Sequence, residues 1–98
     1  MTEDNKQKYN VSVDSIKTAL RIDGDQDNLM IQAYIDTAKD YINDAVDSDI
    51  ELSNDNKYNL AVLLLVQFWY SNRTTDMKKT PYQVVSLIQQ LRGEYWDR

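Results

Sequence analysis

No cysteine and no histidine occur among the 98 residues. Their absence excludes disulfides, thiolate zinc sites, thiol and imidazole catalysis, and haem ligation. Glycine occurs twice and proline once, too few for a turn-rich β-sandwich or a glycine-rich phosphate loop, since both need residues free to adopt positive φ. Basic charge is scarce as well. The 11 Lys and Arg face 16 Asp and Glu, a net charge of −5, which is the wrong sign for holding nucleic acid by bulk electrostatics. The longest apolar run is Leu60 to Val66, continued by Phe68, Trp69 and Tyr70 after one Gln; it is far shorter than the ~18 residues a bilayer crossing needs. Met1 to Lys8 is polar, without the apolar centre of a secretion signal. The glycosylation-like strings Asn10-Val11-Ser12 and Asn72-Arg73-Thr74 therefore read as chance, and an intracellular, reducing compartment is expected.

What is present is ordinary for a folded domain: 42% hydrophobic and 28% charged residues. The length supports one domain with a radius of gyration of about 13 Å. The apolar spacing predicts an all-α fold, a small bundle of about four helices. Ser12 is a candidate cap for a first helix with Val13, Ile16 and Leu20 on one face, closed by Asp23 and Gly24. A second helix is expected after Asp25, whose carboxylate would cap it. Its stripe is Met30, Ala33, Tyr34, Ala38, Tyr41, Ile42 and Ala45, with Leu29, Ile31, Ile35 and Val46 on the flank. Residues 47 to 57 read as a connection containing Ile50 and Leu52, with Ser53 or Asn54 capping the third helix. That helix is apolar on almost every face, which a small domain accommodates only by placing it at the centre. Thr80-Pro81-Tyr82-Gln83 then reads as a capping box opening a fourth helix with Val84, Val85, Leu87, Ile88, Leu91 and Tyr95, and Gly93 is the expected stop.

Several constellations have the residue types that chemistry would need. Asp23, Asp25 and Asp27 alternate like the opening of a calcium loop, but Asn28 stands where that loop needs Gly and Tyr34 where it needs Glu, so helix capping is the reading. Asp36, Asp40 and Asp44 share one helical face and form an acidic ridge without an accompanying electrophile. Trp69, Tyr70 and Arg73 fall within one turn and could stack on bases, yet such an apolar helix is better explained as core. Tyr95 and Trp96, beside Arg92, have no evident core slot and form a candidate partner interface. Charge is also split: residues 1 to 55 hold 13 acids and 5 bases, residues 56 to 98 hold 3 acids and 6 bases. Such asymmetry would let one copy's acidic side meet another's basic side.

Four strings in order, Leu20-Arg21-Ile22-Asp23, Leu29 to Ile42, Leu64 to Arg73 and Pro81 to Arg92, resemble the head-tail connector, or adaptor, family of tailed bacteriophages and prophages. The resemblance spans residues 13 to 92. Its most specific pieces are the end of the third helix, with Phe68, Trp69, Tyr70, Asn72 and Arg73, and the helix led by Pro81. It implies a structural protein and not an enzyme, with no cofactor and no metal. Copies would form a homo-oligomeric ring of about twelve beneath the portal, closed by unlike patches, and extend the DNA channel toward the tail. The implied partners are further copies, the portal protein, a downstream joining or stopper protein, and transiting double-stranded DNA bound without sequence specificity; no membrane is involved. The implied location is the head-tail interface of the virion, with assembly in the host cytoplasm. The expected organisation is a flexible arm over 1–11, a helical connector domain over 12–93 and a C-terminal tail over 94–98. Asp36, Asp40 and Asp44 would face the lumen or a neighbouring subunit, Tyr95 and Trp96 would serve portal docking, and Tyr70, Asn72 and Arg73 would anchor the loop after the third helix. The alternative is an acidic helical module that mimics DNA and occupies a basic partner.

Overall fold

A computed structural model describes residues 11–47, 52, 54–72 and 79–96. It contains four helices: α1 (Val13–Leu20), α2 (Asn28–Val46), α3 (Asn56–Ser71) and α4 (Tyr82–Trp96), with no strand among the described residues. Met1 to Lys8, Ile50, Ser53 and Arg73, for which the sequence carries expectations, lie outside the described residues. The radius of gyration is 13.9 Å and the shortest dimension 21 Å, about two helix diameters.

The apolar third helix is at the centre, as its composition demands. It packs against α1, α2 and α4, whereas α1 and α4 do not meet. Ala61, Val62, Leu65, Val66 and Trp69 are buried along it, with Leu63, Leu64 and Phe68 half-buried against the same cluster. Burying those five fully enclosed side chains contributes on the order of 10 kcal/mol before chain entropy is subtracted. Leu52, read from sequence as part of a polar connection, is also in the core at 1% exposure.

The helix ends differ from the sequence expectations in instructive ways. Ser12 caps α1 as predicted, exchanging bonds with Ser15: Ser15 N donates to Ser12 Oγ (3.1 Å) and Ser12 N to Ser15 Oγ (2.8 Å). The helix stops at Leu20, before Asp23 and Gly24, because Arg21 turns left-handed (φ 59°). Ile22 N then donates to Lys17 O and Arg21 N to Thr18 O, a Schellman closure whose apolar partner is Ile22 itself. Asp25 does not cap α2. It pairs with Lys17 at 2.9 Å, while α2 starts after Asp27, which makes no side-chain cap. The Lys17 ammonium, with help from Asn28, lowers the Asp25 pKa below its ordinary value.

The α2 stripe is rotated from its predicted position. The buried residues are Ile31, Ile35, Ala38, Ile42 and Val46; Ala33 is exposed, Tyr41 is 43% exposed and Leu29 87%. Asp55, and not Asn54, caps α3: its Oδ1 accepts from Lys57 N (2.8 Å) and Tyr58 N (3.3 Å). The Thr80–Gln83 capping box does not form. The Pro81 carbonyl accepts from Val84 N and Val85 N, and the Thr80 hydroxyl lies 3.0 Å from that of Tyr41. Nor does Gly93 end α4, which continues to Trp96.

Candidate interaction surfaces

The end of α4 is joined to the ends of α2 and α3. Tyr95 is half-buried against the core and its hydroxyl donates to Asp55 Oδ2 at 2.7 Å. One carboxylate thus caps α3 through one oxygen and holds α4 through the other. Arg92 Nε donates to Ala45 O at 2.8 Å and Trp96 Nε1 to Val46 O. Both acceptors belong to the last turn of α2, where carbonyls lack helical partners and the helix dipole is negative. The Arg92 guanidinium also sits 4.9 Å from the Trp96 ring centroid, within cation–π range. Lys57 on α3 pairs with Glu94 on α4, which raises the Lys57 pKa above its ordinary value. The predicted partner cluster is therefore anchored on its inner side. Its outer side stays open: Trp96 is 57% exposed.

That open side is larger than the sequence indicated. Tyr82 (81% exposed), Val85 and Trp96 follow α4 at helical spacing, and the Tyr41 hydroxyl lies 3.0 Å from that of Thr80, two residues before α4 begins. An exposed face with two tyrosines, a tryptophan and an arginine has the composition of interface hot spots. Tyr41 was legible only as a member of a buried stripe, because its ring suits either environment.

Asp36, Asp40 and Asp44 are exposed on the α2 face opposite its buried residues, and Asp36 accepts from Gln32 Nε2 at 3.0 Å. Among the described residues no group of three acidic side chains has the geometry to hold a metal ion, and no helix is long and apolar enough to cross a membrane.

The end of α3 is structural in its contacts. Trp69 is buried and tilted against Tyr34, ring centroids 5.9 Å apart. Tyr70 donates to Asp27 Oδ2 at 2.6 Å, tying α3 to the start of α2. Asn72 closes its own helix through Nδ2 to Phe68 O at 2.9 Å. The stacking platform considered from sequence does not assemble, since Trp69 faces inward. On the opposite flank, Leu64, Gln67, Phe68, Ser71 and Asn72 join Pro81 and Gln83 of the α4 entry around an open groove of about 270 Å³.

The model of the phage gp6-like head-tail connector proteins matches residues 10–92. The chain belongs to that family. No curated protein and no solved structure matches it. Family membership makes this connector a structural phage protein of the virion, one that assembles with other head and tail proteins. Within the strings that carried the resemblance, Arg21 and Ile22 make the Schellman closure of α1, Tyr70 bonds Asp27 and Asn72 bonds Phe68 O.

Proposed function

We propose that the connector closes into a ring of about twelve copies under the portal, built on a repeated heterologous interface, and lengthens the DNA channel toward the tail. The family match over residues 10–92 carries this reading. In this reading the ring binds itself, the portal and a downstream joining or stopper protein, and duplex DNA passes through without being held. The open face of Tyr82, Val85, Arg92 and Trp96 suits the portal or the next copy, and Asp36, Asp40 and Asp44 suit the channel or a neighbouring subunit. Many modest contacts around a closed ring give avidity without a large interface per copy. The protein performs no catalysis in this reading, and its assembly takes place in the host cytoplasm.

The test is to mix the connector with its portal and image the product by electron microscopy. An added ring on the portal is expected. A portal left bare by folded helical connector overturns the proposal, and tight, salt-sensitive capture of a basic regulator or nuclease would favour the DNA-mimic alternative instead. Docking should be probed with Trp96→Ser or Tyr82→Ser. Truncation after Arg92 would remove the Tyr95–Asp55 bond and damage the fold as well as the surface.

A further inference from the structure

We propose that the ring closes by insertion of Leu29 from one copy into the α3–α4 groove of the next; this rests on the ring reading above and names the surfaces that would build it. Leu29 is 87% exposed, more than any other large apolar side chain among the described residues. A single exposed leucine is unremarkable, but this one has a matching recess on the same molecule. The recess is the groove of about 270 Å³ whose apolar floor is Leu64, Phe68 and Pro81 and whose polar rim is Gln67, Ser71 and Asn72.

The two features lie near the same end of the bundle but on opposite flanks. Tyr70 bonds Asp27, two residues before Leu29. Phe68 lies two residues from Tyr70 on α3, hence about 200° around the helix. Leu29 also belongs to the outward face of α2, with Ala33 and Asp36. Leu29 is left 87% exposed, so one copy does not fill its own groove with it. A projection on one flank and a recess on the other form a heterologous pair, the type of contact that propagates head to tail and closes when the rotation permits.

Charge agrees with this pairing. The flank around Leu29 carries Asp23, Asp27 and Asp36, with Asp25 paired to Lys17 and Arg21 also exposed, and stays acidic on balance. The groove side carries no acidic lining residue, and the exposed Lys79, two residues before Pro81 in sequence, makes no ion pair among the described residues. Opposite signs on the two flanks fix register and disfavour like-on-like contact. The N-terminal end of the acidic ridge is thus assigned to the neighbouring copy, leaving Asp40 and Asp44 further along the helix.

The sequence lacks cysteine, so a full-length Leu29→Cys/Asn72→Cys variant, whose second site is exposed on the groove rim about 200° around α3 from Tyr70, reports on this contact. Assembled on the portal and mildly oxidised, it should give a denaturant-resistant ladder of covalent multimers, with neither single variant doing so. Rings of normal appearance that yield only monomer bands would overturn the inference while leaving the ring reading intact. Dimers from Leu29→Cys alone would overturn it by revealing a symmetric contact. If the unsubstituted chain forms no ring on its portal, the ring reading itself fails and this inference with it. As a second measurement, Leu29→Asp should keep wild-type helicity by circular dichroism and lower the copies retained per portal at least tenfold; full retention would contradict the proposed docking.

Discussion

At the scale of a single residue, Trp69 shows how a motif position can serve packing at a polar cost. Its ring is 5% exposed and leans on Tyr34, yet its Nε1 finds no acceptor. A buried unpaired donor costs about 1–3 kcal/mol. Trp69→Phe removes that donor while opening a small cavity, so the two effects oppose each other. The expected loss in urea unfolding is under about 1.5 kcal/mol, against about 3–5 kcal/mol for Trp69→Ala. A Phe variant as unstable as the Ala variant would mean that Nε1 has a partner in solution. Phe68, the residue immediately before it, is only half-buried and lines the groove, so two neighbouring aromatics of one sequence motif divide between core and groove.

At the scale of elements, Asp55 is the joint between α3 and α4. Its two oxygens divide the work, one accepting the first amides of α3 and the other the Tyr95 hydroxyl. Losing an N-cap costs about 1 kcal/mol and losing a hydrogen bond to a charged group about 1.5–3 kcal/mol, so Asp55→Ala should destabilise by roughly 2–4 kcal/mol. Asp55→Asn retains a cap acceptor and should lose less than half as much; equal losses in the two urea midpoints would refute the shared-oxygen account. This joint also explains what the sequence could and could not reveal. The number of helices and the central position of α3 follow from local apolar spacing. As caps Asp55 and Asn54 are locally equivalent, and the bond from Asp55 to Tyr95, 40 residues away, is contained in no local pattern. Likewise α4 passes Gly93, despite about 1 kcal/mol of lost helix propensity, because Tyr95 and Trp96 are tied to Asp55 and Val46. The rotation of α2 has a related cause: apolar side chains occupy a wide arc of that helix, and α3 and α4 decide which part is enclosed. The interaction surfaces were legible as types, acidic and aromatic, but Leu29 and Tyr41 were assigned to the buried arc and so the exposed projection was missed.

At the scale of the whole molecule, the charge balance bears on DNA transit. A channel that neutralised phosphates would hold the duplex, since each neutralised phosphate strengthens binding as salt falls. With a net charge of −5 and exposed Asp40 and Asp44 on the outer face of α2, the connector should retain no duplex DNA even at about 50 mM salt, where such contacts are strong. Replacing both residues with Lys adds two charge units at each site and supplies two cations on one face. If that face meets the channel, DNA affinity should appear in the assembled ring with a log–log salt slope of about −0.9 for each phosphate contacted, steeper than the roughly −1.8 of a single copy because every copy presents two lysines. Ejection from particles carrying the variant should slow while particle yield is unchanged. If the wild-type ring binds duplex with a comparable slope, acidity is not what keeps the passage free; if the double variant binds no better than wild type, the ridge faces away from the channel, and the low affinity must come from other surfaces.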